Sequence, residues 1–249
     1  LSAVFQNSQA VSQVAIIGPT ADRWSESGLD RNPFLTEPWY LHSLWQAMNH
    51  HGYCSDYPNP RIFAKANYAE GSANYGPMSY KAVIICDMQW AFPEFIDALQ
   101  KYAKAGGMIF FIGQTPIKSP GMKYKGDTSV KNKVEKLIDD NSENVKVTEE
   151  PPRENLTKWT GELLKNQQFV PDVRISLPDA RLYFYQAESN GSPVLFFSNQ
   201  NRYKTISFNV EMDSVGLHPW KWDAETGDKS VYPSERGKFH VTLKPLESL

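Results

Sequence analysis

Hydrophobic residues follow two different patterns along the chain, and the change falls near Phe169. Before it, short apolar runs such as Val14–Ile17 and Ala82–Ile85 alternate with stretches of helical spacing, as at Phe92–Ala105. That alternation is typical of a parallel sheet with helices on its faces. After it, short alternating runs separated by turns, such as Thr205–Val210, indicate antiparallel β-structure.

The first pattern predicts an open, doubly wound parallel sheet, flavodoxin-like in outline, because parallel strands need right-handed crossovers. The predicted strands are Val14–Gly18, Tyr53–Tyr57, Lys81–Cys86, Met108–Ile112 and Asn144–Val147, and the predicted helices are Pro38–His50, Phe92–Ala105, Asp127–Asp139 and Asn155–Lys165. Residues 58–80 are expected to form a crossover with one helical turn. A ligand of such a sheet usually binds beyond the carboxyl ends of its strands.

The second pattern predicts a small antiparallel β-sandwich. Strand-like runs occupy Arg181–Gln186, Val194–Ser198, Thr205–Val210 and Lys238–Leu243, and Asn190-Gly191 is a tight-turn signal between the first two. The fold class is therefore α/β followed by β. We expect an α/β domain at 1–168 and a β-sandwich domain at 169–249.

Composition narrows the function classes. The net charge is -2, with 26 basic and 28 acidic residues and no basic block, which argues against a nucleic-acid partner. No apolar run approaches the length of a membrane span. The chain begins at Leu1 without a leader-like segment, and we expect both ends to be cuts from a longer protein.

Motifs for cofactor binding and covalent catalysis are missing from the strand ends. The first strand leads into Gly18-Pro19-Thr20-Ala21-Asp22, which has no phosphate-binding glycine pattern, so no cofactor is predicted. Cys86 lies between Ile85 and Asp87, not between glycines, and is predicted to be an inert buried thiol. A disulfide with Cys54 is the less favoured alternative.

Histidine spacing also argues against a metal site. His50 and His51 are consecutive, so on a helix they point about 100° apart and would not chelate together. As positive groups at a helix C-terminus they would interact favourably with the helix dipole.

The loop after the first predicted strand holds the candidate ligand-binding residues Asp22, Trp24, Glu26 and Trp39. An exposed tryptophan beside carboxylates suits a sugar, because the ring stacks on the apolar face of a pyranose while carboxylates bind hydroxyls. The alternative is that both tryptophans are buried in the core or in an interface. An acid/base pair of Asp22 and Glu26 is a weaker idea, since their separation cannot be read from the sequence.

Three C-terminal segments carry a family resemblance: Leu195–Gln200, Trp222–Gly227 and Leu243–Ser248. This succession resembles the tail of large bacterial glycoside hydrolases of the α-L-rhamnosidase type (glycoside hydrolase family 106 and relatives). There a Phe-x-Asn strand, a Trp-Asp-Pro-x-Thr-Gly turn and a Leu-x-Pro-x-Glu-Ser strand recur in that order. Ala224 stands where proline is common.

The first half resembles the segment just upstream in those enzymes. Val14–Pro19 with Trp24 matches its opening strand and loop, Asp56-Tyr57 its second strand and Tyr80–Met88 its third. That segment is similar to class I glutamine amidotransferase-like domains, also found as the trimerisation-type domain of some β-galactosidases. The amidotransferase cysteine is missing here.

The resemblance implies a secreted enzyme, extracellular or periplasmic, that acts on plant-type polysaccharide. Its catalytic acid and base lie on a (β/α)8 barrel that this length cannot hold beside a β-domain, so no catalytic residue is assigned. We expect a non-catalytic accessory region that braces the barrel and lines its cleft, with carbohydrate and the catalytic domain as partners.

Two alternatives remain. The chain is a carbohydrate-binding module if Trp24, Trp39, Trp220 or Trp222 form an exposed flat platform. A standalone small-molecule enzyme of amidotransferase-like fold would need a phosphate loop or an activated thiol, for which Cys86 is the candidate.

Overall fold

A computed structural model describes residues 6–27, 37–124, 128–213, 218–223 and 226–249. The strands are β1 (Gln9–Ala10), β2 (Val14–Ile17), β3 (Ser55–Asp56), β4 (Asn67–Ala69), β5 (Ser72–Tyr75), β6 (Met78–Tyr80), β7 (Ala82–Cys86), β8 (Met108–Ile112), β9 (Val145–Thr148), β10 (Val173–Ile175), β11 (Leu182–Ser189), β12 (Ser192–Asn199), β13 (Ile206–Met212), β14 (Trp220–Trp222), β15 (Lys229–Val231) and β16 (Lys238–Leu243). The main helices are α1 (Leu41–Asn49), α2 (Pro60–Phe63), α3 (Pro93–Lys104), α4 (Ser129–Asp140) and α5 (Leu156–Asn166). Within the described ranges, no helix combines the length and the apolar character that crossing a membrane requires.

The chain divides into two compact units. The parallel-sheet unit comprises Ser12–Ser43 and Ser55–Arg153, and the antiparallel unit comprises Leu1–Val11, Leu44–Cys54 and Glu154–Leu249. The sequence-based boundary between residues 168 and 169 stays a prediction.

The parallel-sheet unit is built on five strands in the order β3-β2-β7-β8-β9. All four neighbouring pairs are parallel, with Ile17 beside Ile85 and Ile84 beside Phe110. Every residue of β2 and β7 is buried, which explains their unbroken apolar runs. The predicted parallel sheet with intervening helices is confirmed.

Helix α3 covers this sheet with one apolar face. Phe95, Leu99 and Tyr102 recur at helical spacing and are fully buried. The helix is followed by Gly106, whose φ of 89° provides the left-handed conformation common after a helix C-terminus. The Tyr102 hydroxyl donates to the carbonyl of Tyr80 at 3.1 Å, which ties the helix end to the end of β6.

The segment 58–80 differs from its prediction. The expected helical turn is α2, where the Asn59 side chain caps the helix by accepting from the Arg61 amide at 2.9 Å. The rest forms a three-stranded antiparallel meander, β4-β5-β6, which the sequence analysis missed. Among its strand residues only Ala73 and Tyr80 are buried, so the apolar alternation that signals a strand is nearly absent.

The antiparallel unit contains two three-stranded sheets, β1-β11-β12 and β10-β13-β16, and a hairpin of β14 and β15. Side chains from both three-stranded sheets share one core. Phe197 joins them, with its ring 5.2 Å from Phe184 and 5.3 Å from Phe208. The predicted antiparallel β-structure is confirmed, and Asn190-Gly191 forms the expected turn with φ of 51° and 74°.

Asn199 explains the Phe-x-Asn motif structurally. The residue is fully buried, and its amide donates to the carbonyls of Lys204, Leu243 and Lys244 at 2.8 to 3.1 Å. Its side-chain oxygen accepts from the Asn201 amide at 2.8 Å. The motif therefore fastens the end of β12 to the end of β16.

Candidate functional site

The carboxyl edge of the parallel sheet holds a small cavity of about 60 Å³. Its walls come from the segments that follow β2, β3 and β7, and include Thr20, Trp24, Asn59, Arg61, Trp90 and Phe92. Numbered along the chain, the five strands run 2-1-3-4-5, so the order reverses at β2. Ligands of open α/β sheets bind at such a reversal, and the cavity lies there.

Asp22 ties two of these segments together. Its carboxylate accepts hydrogen bonds from the backbone N–H of Gln89 at 2.7 Å and of Trp90 at 3.3 Å. These bonds fix the loop after β2 against the loop after β7. A structural role therefore accounts for Asp22, and its contact with a ligand stays a prediction.

Trp24 projects from the rim of the cavity. Its side chain is 66% exposed, whereas Ala21, three residues earlier in the chain, is buried. In the cavity wall the Arg61 guanidinium lies 4.9 Å from the Phe92 ring, and the Lys118 ammonium lies 5.0 Å from the ring of the wall residue Trp90. The edge thus combines aromatic surface with cations, which suits a polar ligand that has apolar faces.

Glu26 and Trp39 are the other two predicted ligand-binding residues. The backbone of Glu26 belongs to a π-helical turn, Arg23–Ser27, but its side chain lies outside the described part of the structure. Trp39 is half-buried, with the Arg153 guanidinium 5.3 Å from its ring and Tyr40 packed edge-on at 5.8 Å. Trp39 is absent from the cavity walls.

Cys54 and Cys86 are both buried, and no disulfide joins them. Burial raises the pKa of Cys54 to about 12. Burial and the neighbouring Asp87 raise the pKa of Cys86 as well. The predicted inert state of Cys86 agrees with these raised pKa values, and the alternative of a disulfide is wrong.

The two adjacent histidines both contact helix α5. His50 Nδ1 lies 3.1 Å from Thr157 Oγ1, and His51 Nε2 lies 2.7 Å from the Thr157 carbonyl. Burial lowers the pKa of His50 to about 4, so the predicted positive charge at the helix end is wrong for this residue near neutral pH. Among the described residues, no three His, Cys, Asp or Glu side chains cluster as metal ligands.

A wider groove of about 360 Å³ lies in the antiparallel unit. Lys158, Lys165 and Arg174 line it together with His51 and Tyr53. The Arg174 guanidinium is already paired, at 2.7 Å with Asp213 and at 3.2 Å with Glu211. The sequence analysis missed this groove, although Lys158 and Lys165 stand seven positions apart on α5 and so share a helix face.

Comparisons by sequence find no protein-family model and no curated protein that match the chain. Solved structures do match. A rhamnosidase from Novosphingobium sp. PP1Y aligns over 99% of this chain and 23% of its own, with 16% identity and a TM-score of 0.62. A β-galactosidase from Bacillus circulans sp. alkalophilus aligns over 98% of this chain and 42% of its own, with 12% identity and a TM-score of 0.60. An α-L-fucosidase isoenzyme 2 from Paenibacillus thiaminolyticus aligns over 100% of this chain and 48% of its own, with 9% identity and a TM-score of 0.53.

These structures share a fold with the chain at low sequence identity. All three are glycoside hydrolases, as the C-terminal motifs led us to expect. The chain spans less than half the length of each of them. The comparison therefore shows that the fold of this chain also occurs as part of each of these glycoside hydrolases.

Proposed function

We propose that this chain is a non-catalytic accessory region of a secreted glycoside hydrolase that acts on plant-type polysaccharide. One observation carries the proposal. Three glycoside hydrolases whose names give three different sugars match at least 98% of the chain, while most of each enzyme lies outside the match. A fold common to three specificities is better suited to support a catalytic domain than to choose its substrate.

The geometry of the carboxyl edge supports the same role. Ligand pockets usually have about 300 to 1,000 Å³, whereas the cavity beside Trp24 has about 60 Å³. That volume is too small to enclose a sugar, and the Asp22 carboxylate already binds two backbone amides. We propose that Trp24 completes a cleft whose other walls belong to the catalytic domain.

The proposal includes the assignment of the parallel-sheet unit to the amidotransferase-like domains. The strand order 2-1-3-4-5 is that of flavodoxin-like sheets and supports an amidotransferase-like domain that braces the barrel. The buried Cys86 weighs against the standalone amidotransferase-like alternative, because its thiol is neither exposed nor ionised near neutral pH. The location outside the cytoplasm is proposed from the polysaccharide substrate.

The reading frame upstream of Leu1 and the protein that it encodes test this proposal. We expect a (β/α)8 segment there and activity on an aryl glycoside or oligosaccharide in the whole protein. In that protein Trp24→Ala should raise KM about tenfold with little change in kcat, since the ring contacts bound substrate.

Tyr75→Ala provides the matched control, because Tyr75 is an exposed aromatic side chain of the same unit, 42% exposed, and lies outside the cavity. An unchanged KM for Trp24→Ala would remove the cleft role. A reading frame that encodes no catalytic domain would contradict the accessory role itself.

A carbohydrate-binding module is the second candidate. Trp24, Trp220 and Trp222 are 66%, 61% and 47% exposed, whereas Trp39 is half-buried. Contiguous exposed apolar surface marks interaction sites, and Trp220 and Trp222 belong to one short strand. A module of this kind would bind glycan without help from any other domain.

A further inference from the structure

The hairpin of β14 and β15 presents two tryptophans on one face. Its register pairs Trp220 with Val231 and Trp222 with Lys229. Directly paired residues share a face of an antiparallel ladder, and residues two apart in one strand also share it. Trp220, Trp222, Lys229 and Val231 therefore form a single surface, which we call the tryptophan face.

Tyr232, on the opposite side of the hairpin, anchors it to the unit. The Tyr232 amide donates to the Pro219 carbonyl at 2.9 Å, so Tyr232 continues the ladder one step past Val231 and points the other way. The Tyr232 hydroxyl donates to the His240 carbonyl at 2.9 Å, and its ring packs edge-on against Phe239 at 5.9 Å. The tryptophan face consequently points away from β16.

The tryptophan face is open and has a defined shape. Trp220, Trp222 and Val231 are 61%, 47% and 63% exposed. The Lys229 ammonium lies over the Trp222 ring, 4.2 Å from its centre. Two residues along a strand span about 7 Å, so the backbone positions of Trp220 and Trp222 have a spacing of the order of one sugar unit.

Charge on the hairpin is divided between its two faces. Asp223 and Asp228 form the next step of the ladder, where the Asp223 amide donates to the Asp228 carbonyl at 2.9 Å. They therefore project with Lys221 and Ser230, away from the tryptophans. Among the described residues of the hairpin strands, Lys229 is the charged side chain on the tryptophan face.

We propose that the tryptophan face binds an acidic glycan chain, with successive pyranose rings stacked on Trp220 and Trp222 and a uronate carboxylate near Lys229. Sugar rings have apolar C–H faces that match indole, and their hydroxyls stay in water at an exposed site. The described strand residues place a lysine and no carboxylate on this face, which complements a uronate better than a neutral sugar. The inference deepens the carbohydrate-binding role proposed above and rests on it.

Calorimetry of the chain with two probes tests this proposal: an oligosaccharide of alternating rhamnose and galacturonate, and a neutral β-1,4-galactan hexamer. We expect tighter binding of the acidic probe. Trp220→Ala and Trp222→Ala should each weaken binding about tenfold or more, as truncation of an aromatic anchor does, and the double variant should not bind. Lys229→Gln should remove the preference for the acidic probe.

Tyr203→Ala is the matched control. Tyr203 is an 87% exposed aromatic residue of the same unit outside the hairpin, so its variant should bind within about twofold of the unchanged chain. Thermal unfolding of each variant shows that the fold is retained. Equal binding by the double variant, or no binding of either probe by the unchanged chain, would overturn the proposal.

Occupation of the tryptophan face by a second copy of the chain would also overturn the glycan-binding proposal. If the unchanged chain self-associates on sedimentation and the double variant does not, the tryptophan face is an interface between copies of the chain. The accessory role in a glycoside hydrolase is tested separately by the upstream reading frame, so failure of the glycan platform leaves that test intact.

Discussion

The two units bury their strands in different ways. In the parallel-sheet unit all five residues of β7 are buried, whereas in the antiparallel unit β13 alternates buried Ile206, Phe208 and Val210 with exposed Ser207 and Asn209. A sheet covered on both sides can offer ligands only its strand ends, but a strand with one open face can offer a surface. The exposed tryptophans proposed as ligand contacts lie where this difference in burial predicts.

The difference also determines where aromatic side chains are available. In the parallel-sheet unit the exposed Trp24 follows a strand end. In the antiparallel unit Trp220 and Trp222 stand within a strand.

Substitution of adjacent strand residues should destabilise the parallel-sheet unit equally at both positions, but the antiparallel unit at only one of the two. Phe110 and Phe111 are both buried in β8, so Phe110→Ala and Phe111→Ala should each lower the free energy of unfolding by about 3 to 5 kcal/mol. In β13, Phe208→Ala should cost a similar amount and Ser207→Ala less than about 0.5 kcal/mol. Urea unfolding measures the stability of all four variants. A mild effect of either Phe110→Ala or Phe111→Ala would contradict burial of β8 on both faces of the sheet.

The buried side chain of Asn199 should contribute strongly to the stability of the antiparallel unit. Asn199→Leu removes the donors for three carbonyls and should lower the free energy of unfolding by about 2 to 3 kcal/mol. Gln200→Leu is the control, since Gln200 is exposed and should cost less than about 1 kcal/mol. Equal effects in thermal or urea unfolding would contradict the role given to the Phe-x-Asn motif.

The antiparallel unit should lose stability in mild acid through His50. Its pKa is lowered to about 4 in the folded chain, from an ordinary value of 6.5, so between these pH values the unfolded chain binds a proton that the folded chain does not. Stability should therefore fall by about 1 to 3 kcal/mol as pH drops from 6.5 to 4. His50→Gln should remove this part of the pH dependence, and an identical pH profile would contradict the assignment.

The smallest effects should separate the structural and exposed residues of the candidate site. Asp22→Asn replaces a charged acceptor of two amides and should cost about 1 kcal/mol of unfolding free energy. Trp24→Ala, at an exposed position, should stay within about 0.5 kcal/mol. Melting temperatures of the two variants check this order, and a larger loss for Trp24→Ala would mean that Trp24 supports the fold.

Strong periodicity made the parallel-sheet unit predictable. The expected strand Met108–Ile112 is β8, and the expected helix Phe92–Ala105 differs from α3 by one residue at each end. Such elements bury a continuous run or a full helix face, which the sequence records directly. The meander β4-β5-β6 and the two-residue strand β1 bury too little to leave that signal.

The candidate site was predictable only in part. The sequence predicted that Trp24 is a candidate ligand contact, and the structure shows that its ring is exposed. It could not show that Asp22 binds backbone amides 67 and 68 residues away, because those donors carry no sequence signal. The pairing of Trp220 and Trp222 with Val231 and Lys229 likewise depends on a register that the sequence does not reveal.

Glycosidase assays of the 249-residue chain itself test the central claim most directly. Aryl α-L-rhamnoside, β-D-galactoside and α-L-fucoside are the substrates, since the matched structures are named for these sugars. A non-catalytic accessory region should release no aryl alcohol above the rate in buffer. Turnover that disappears in Glu26→Ala or Asp22→Asn, with the fold retained, would contradict it.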